Sequence, residues 1–173
     1  MFRVAILTVS DRSAQGQRDD ASGTVIREIV TSELEAEVVA YRVVPDERPE
    51  IEAALRAWAD ERAADLVLTT GGTGLAPRDI TPDATRAVLD REVPGIPEAM
   101  RAASLQQTPF AMLSRMVAGT RGSTLIVNLP GSPKAVRENL AVILPALPHA
   151  LEKLLGNPAD CVPLPATGNG EAV

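Results

Sequence analysis

Apolar positions fall in short blocks separated by polar, glycine or proline residues, and the spacing inside each block names an element. Phe2–Val9 is an apolar, β-branched-rich run, which predicts a buried strand. Residues 10–20 are polar and contain Gly16, so they predict a loop. Over 22–34, Val25, Ile26, Ile29, Val30 and Leu34 recur at helical spacing, with Asp20 or Ser22 placed to cap the helix. Residues 37–44 predict a second strand ended by Pro45, and 49–62 a helix with Pro49 in its first turn. Leu66–Thr70 predicts a third strand that runs into Gly71-Gly72-Thr73-Gly74.

Thr81-Pro82 reads as an N-cap followed by proline at the first helical position, opening a helix to about residue 90. Pro97 opens another, over 98–107. Residues 111–120 and 124–129 read as paired strands around Arg121-Gly122-Ser123. Pro130-Gly131-Ser132-Pro133 repeats the cap-plus-proline signal before a helix over 134–143, and 145–155 reads as the last helix. The segment after Gly156 holds Pro158, Pro163, Pro165, Gly168 and Gly170. We therefore expect one domain over 1–156 and a flexible tail over 157–173.

Strand-helix-strand-helix-strand, followed by helices and a hairpin region, predicts an α/β fold. Its sheet is mostly parallel, covered by helices on both faces, with a late antiparallel strand. Ligands bind such sheets beyond the carboxyl ends of the strands. The loops after Val9, Val44, Thr70 and Leu129 are therefore where chemistry is expected.

Composition narrows the possibilities. With 173 residues and 45% hydrophobic content the chain can bury one full core, and with 2% aromatics that core must be built from Ala, Val, Leu and Ile. A net charge of −6 argues against bulk affinity for nucleic acid, so an anionic ligand must be held by local groups. One cysteine, Cys161, excludes a disulfide framework or a cysteine zinc site within the chain. One histidine, His149, excludes a histidine metal cluster and disfavours a Ser-His-Asp triad. No apolar run reaches membrane-spanning length, and the N-terminus lacks a signal-peptide pattern, so a cytoplasmic protein is expected. His149 is expected on a helix face, Cys161 as an inert thiol, and Met100, Met112 and Met116 as core filler.

Each candidate loop has a chemical and a purely structural explanation. Gly71-Gly72-Thr73-Gly74 can present backbone N–H groups to a phosphate, or can be a tight strand exit. It is neither a Walker loop nor a Gly-x-Gly-x-x-Gly fingerprint. In Arg78-Asp79-Ile80-Thr81-Pro82, Arg78 can meet a phosphate and Asp79 a cation, while Thr81-Pro82 reads as helix initiation. Asp46 in Val44-Pro45-Asp46-Glu47 reaches the same rim if its strand neighbours the glycine loop; otherwise it is a solvated turn aspartate. Asn128-Leu129-Pro130-Gly131-Ser132-Pro133-Lys134 combines a helix start with a lysine. Ser114 and Arg115 either face a ligand or sit on a surface hairpin.

Taken together and in order, these pieces resemble the molybdopterin adenylyltransferase family and the corresponding domain of gephyrin. The string from Leu68 to Thr85, LTTGGTGLAPRDITPDAT, carries most of the resemblance. Thr8-Val9-Ser10-Asp11, Asp20-Ala21-Ser22-Gly23, Val44-Pro45-Asp46-Glu47, Leu113-Ser114-Arg115, residues 128–134 and residues 143–150 add to it. The likeness covers about residues 4–155. Ile80, where valine is usual, and Thr120, where isoleucine is common, depart from it without touching the chemistry.

The resemblance implies a three-layer α/β fold, a homotrimer, and a reaction in which Mg-ATP adenylylates molybdopterin and releases pyrophosphate, the product passing to a molybdenum insertase. It places Asp46 and Asp79 as the catalytic pair, and because hard oxygen ligands suit Mg²⁺ we assign both to that ion, directly or through water. Gly71, Gly72, Thr73, Gly74, Asn128, Pro130 and Lys134 fall on the nucleotide side, and Ser114 on the pterin side; we assign Arg78 and Arg115 there as charge-offsetting cations. The attacking phosphate is already anionic and needs no general base, so positioning and electrostatics carry the reaction. The competing expectation is a non-catalytic molybdopterin-binding or scaffold member of the same fold; the presence of both aspartates favours the enzyme.

Overall fold

The computed structural model describes residues 1–157; the tail expected beyond them, Cys161 included, lies outside the described residues. In chain order the elements are β1 (Phe2–Val9), α1 (Asp11–Ala14), α2 (Ala21–Glu33), β2 (Ala36–Val44), α3 (Arg48–Asp60), β3 (Leu66–Thr70), α4 (Thr81–Arg86) and β4 (Arg91–Glu92). They continue with α5 (Gly95–Leu105), β5 (Ala118–Arg121), β6 (Thr124–Leu129), α6 (Pro133–Ile143) and α7 (Leu147–Leu154).

The strands form one sheet in the order β2-β1-β3-β6-β5-β4. β1 pairs in parallel with both β2 and β3, and β3 with β6; β5 and β4 run antiparallel. β1, β3 and β6 are apolar almost throughout because both their faces are covered. Val4 and Ile6 point to the layer of α2, α5, α6 and α7, while Ala5, Leu7 and Val9 point to α3 and α4. β2 alternates buried and accessible residues, as an edge strand does.

Strand order reverses between β1 and β3, since the chain moves outward to β2 before returning across β1. That is the switch point at which the exits of neighbouring strands diverge and leave a crevice. The turns after Val9, Thr70, Val44 and Leu129 all open at this end, as expected.

Several boundaries differ from the sequence expectations, each for a local reason. The polar loop over 10–20 contains the short helix α1, started by the Ser10 side chain accepting from the Ser13 N–H at 3.2 Å. The helix expected from 81 to about 90 stops at Arg86, because the Asp90 N–H turns to the Thr120 carbonyl and starts the edge pairing of β4. The strand expected over 111–120 forms only at Ala118–Arg121; Pro109–Leu113 is a 3-10 turn that leaves Met112 64% exposed, so Met112 is not core. Met100 and Met116 are buried as expected. α5 begins before Pro97, and α7 is shorter than expected, preceded by a 3-10 turn at Leu144–Ala146. His149 lies exposed on α7.

Candidate active site

The glycine turn is built from backbone constraints. Gly71 and Gly72 both have positive φ, 96° and 61°, which β-carbon-bearing residues rarely adopt. A β-carbon on Gly71 would also collide with the Val9 carbonyl, so this glycine lets the exits of β1 and β3 touch. The Thr70 hydroxyl donates to the Pro130 carbonyl at 2.7 Å, and the Ser22 hydroxyl to the Gly131 carbonyl at 2.7 Å. These bonds lock the glycine turn, the 130–131 turn and the start of α2 into one rim.

On that rim lies a polar cavity of about 230 Å³, lined in part by Asp46, Asp79, Gly71, Gly72, Ser10 and Arg18. Asp46 and Asp79, 33 positions apart in the chain, therefore share one cavity with the glycine turn. Asp46 Oδ1 comes within 3.1 Å of the point where a β-carbon on Gly72 would sit, and Asp79 Oδ2 within 2.8 Å of the same point on Gly74. Asp79 Oδ2 also accepts from the Ala76 N–H at 2.8 Å, so its own turn holds it in place.

Asp46 is held by Asp11, a residue that sequence reasoning placed in a matching motif without a role. Burial pushes the Asp46 carboxyl above the ordinary carboxylate range; the Asp11 N–H pulls it back, and the negative charges of Asp11 and Asp79 add to the rise. The Asp11 carboxyl moves the other way, lowered first by its hydrogen bonds from Arg78 and then by the bond that ties it to Asp46.

The remaining predicted residues divide clearly. Asn128 is fully buried: its amide donates to the hydroxyls of Thr69 and Thr85, both at 2.9 Å, and its oxygen accepts from the Val117 N–H. It braces the rim from beneath rather than facing the cavity. Arg115 donates to the carbonyls of Gly74 and Asp79 and to the Asp83 carboxylate, so it fastens the far end of the glycine turn. Arg78 grips Asp11 and Glu47. Lys134 is exposed on α6 and pairs with Glu138 at 3.7 Å. Arg78, Arg115 and Lys134 all have partners within the protein and do not line the polar cavity. Arg18 does line it, and it makes no hydrogen bond or ion pair among the described residues. Arg18 lay in an unremarkable polar loop, and no spacing marked it.

Across the glycine turn is a second, mainly apolar cavity of about 290 Å³, bordered by Thr73, Gly74, Ser114, Pro130 and Asn139. Ser114 Oγ and Asn139 Oδ1 are buried there without a hydrogen-bond partner. Thr81 corrects an expectation. Its hydroxyl does not cap α4: Ile80 occupies the cap position with no side-chain bond, and Thr81 lies inside the first turn. Its Oγ1 is also buried without a partner.

Hard oxygen donors on two carboxylates and nearby hydroxyls suit Mg²⁺. Among the described residues no group of three or more His, Cys, Asp or Glu side chains could hold a metal by itself. The donor set therefore fits an ion completed by substrate oxygens and water rather than a closed protein cage.

Residues 5–149 match the family described as "Probable molybdopterin binding domain". The chain is 46% identical over 157 residues to a molybdopterin adenylyltransferase of Helicobacter pylori, covering 90% of this chain and 89% of that one. It is 45% identical over 169 residues to gephyrin of Dictyostelium discoideum, covering 92% of this chain but 23% of that longer one. Among solved structures, the molybdopterin biosynthesis enzyme MoaB of Thermus thermophilus superimposes with a TM-score of 0.85 at 59% identity, over 91% of this chain and 99% of that one. With the switch-point crevice, the glycine rim and the paired aspartates in place, the chain belongs to the molybdopterin-binding domain family.

Proposed function

We propose that this protein transfers the adenylyl group of ATP to the phosphate of molybdopterin and releases pyrophosphate. The observation that carries the reading is the convergence of Asp46 and Asp79, from different strand exits, on one polar cavity floored by the glycine turn. The relatives named molybdopterin adenylyltransferase support the same activity.

A molybdopterin phosphate oxygen attacks the α-phosphorus of ATP, the bond to the β-phosphate bridging oxygen breaks, and pyrophosphate leaves with that electron pair. The attacking oxygen is already ionised, so no side chain has to remove a proton. The protein's task is to hold two polyanions together and orient them. Gly71 and Gly72 allow close approach of phosphate to backbone, and Arg18 supplies a cation inside the cavity. Asp46 and Asp79 would hold Mg²⁺, which neutralises phosphate charge when bound. The mainly apolar cavity bordered by Ser114 and Asn139 would receive the pterin ring. Braced as they are, Asn128, Arg115 and Arg78 serve by holding the rim.

A homotrimer, hand-off of the product to a molybdenum insertase and a cytoplasmic location belong to the same reading. No helix among the described residues is long and apolar enough to cross a membrane.

The test is incubation with ATP, Mg²⁺ and molybdopterin. Adenylylated pterin and pyrophosphate are expected in equal amounts. Asp46→Ala and Asp79→Ala are each expected to abolish product while leaving molybdopterin binding largely intact. Binding of molybdopterin without any product from the unmodified protein would instead identify a binding or scaffold protein.

A further inference from the structure

Among the described residues, two charged side chains border the mainly apolar cavity, Arg101 of α5 and Glu138 of α6. The two helices meet where the Asn139 amide donates to the Ser104 hydroxyl at 3.3 Å. Glu138 immediately precedes Asn139, and Arg101 lies one turn before Ser104, so both charges stand at the same helix junction. Both are half-buried rather than enclosed, so a ligand in the cavity can reach them.

Their hydrogen-bonding capacity is largely unused. Arg101 NH1 donates to the Met116 carbonyl at 3.1 Å and, more loosely, to the Ser114 carbonyl at 3.5 Å. Its Nε and NH2 donate to nothing among the described residues, and no carboxylate there pairs with it. Glu138 accepts no hydrogen bond among the described residues. Its one ion pair, with Lys134 at 3.7 Å, is too long to be a hydrogen bond. The Glu138 side chain is 39% exposed against 83% for the lysine, so the carboxylate leans toward the cavity rather than out to its partner. Charges set against an apolar wall cost stability unless something pairs with them.

We infer that Glu138 and Arg101 determine specificity by reading the amino-oxo edge of the pterin ring. That edge carries the 2-amino group and the N3–H side by side, with the C4 oxygen next to them. A carboxylate accepts from the first two through its two oxygens, and a guanidinium donates to the third. The inference rests on the placement of the ring in this cavity proposed above. It adds what an apolar slot lacks by itself, a means of rejecting flat heterocycles with a different donor pattern.

The test is adenylylation of molybdopterin by the full chain, with pterin and lumazine as competitors. Lumazine has an oxygen where pterin has the 2-amino group. The unmodified protein is expected to bind pterin about tenfold or more tightly than lumazine, the scale of a hydrogen bond to a charged group. Glu138→Gln is expected to raise KM for molybdopterin about tenfold and to reverse the preference. Its amide NH2 donates to the lumazine oxygen while its carbonyl accepts from N3–H. Arg101→Met is expected to weaken both competitors alike, since both carry the C4 oxygen. An unreversed preference in Glu138→Gln would overturn the inference. So would Arg101→Met binding both competitors normally, or losing only one. Ala135 borders the same cavity, and Ala135→Phe is expected to block molybdopterin while leaving Mg-ATP binding unchanged. If KM for molybdopterin did not move in Ala135→Phe, the placement of the ring would fail. If Ala135→Phe blocked molybdopterin while Glu138→Gln still preferred pterin, only the reading of the edge would fail.

Discussion

Asp11 and Asp46 hold each other reciprocally. The Asp11 N–H donates to Asp46 Oδ2 at 2.9 Å, and the Asp46 N–H donates to Asp11 Oδ1 at 3.0 Å. The exits of β1 and β2 are thereby stapled by two charge-assisted bonds that also aim the Asp46 carboxylate at the glycine turn. Two carboxylates in such proximity need a cation, and Arg78 provides it, with Nε and NH2 at 2.6 and 2.9 Å from the Asp11 oxygens and NH2 at 2.9 Å from Glu47.

Arg78 therefore acts on the site through Asp11. Arg78→Ala is expected to lower kcat about tenfold or more, because small misplacement of an aimed group is costly. Arg78→Lys should rescue little, since one ammonium cannot reproduce the planar fork. The melting temperature should hardly move, because the pair is solvent-accessible. A raised KM for molybdopterin with kcat unchanged would instead mark Arg78 as a ligand-binding cation.

Asp46 gives an opposite pH signature to Asp11. Its raised pKa means the native state binds the proton more tightly than the unfolded chain does. Ionising it therefore costs stability as pH rises through the window between the ordinary value, about 3.9, and the raised one. That cost is fully present at neutral pH. Asp46→Asn keeps an acceptor for the Asp11 N–H, so it should melt higher than the unmodified protein at neutral pH. The gap should close as pH falls below about 4. The depressed pKa of Asp11 has the reverse effect: its stabilisation is present above the ordinary carboxylate range and is lost as pH falls through its lower native value. Melting curves of both proteins across pH check this; a gap that does not change with pH would refute it.

Arg18 is expected to act on binding rather than on turnover. Among the described residues it is the only lysine or arginine lining the polar cavity. Arg18→Ala should raise KM for ATP severalfold, up to about tenfold, the scale of one charge-assisted bond made in ground and transition states alike. Raising the salt concentration should shrink the difference, because the side chain is exposed. Equal KM values at low salt would remove Arg18 from the site.

Much of the fold was readable in the chain because its signals are local. The apolar runs of β1 and β3, the helical spacing in α2 and the cap at Ser132 were placed to within a residue or two. The carboxyl-end loops were located by the same reasoning, and the glycine turn was visible from its composition. The short β4 was missed because its two exposed residues carry no pattern; only pairing with β5 makes them a strand. The expected strand at 111–113 became a turn, and Met112 became surface, because burial there depends on what packs above it.

What the chain determined by itself is the main strands and helices, the sheet class and the chemical types at each strand exit. Those follow from periodicity, backbone preference and side-chain chemistry, which act between near neighbours. Which charges remain available was decided only by tertiary structure. Arg78, Arg115 and Asn128 looked like ligand groups in sequence and are bonded to the scaffold; Arg18, which no spacing marked, lines the polar cavity and has no hydrogen bond or ion pair among the described residues. Hydrogen-bond partners come from segments tens of residues away, so their assignment depends on how β1, β2 and β3 are brought side by side.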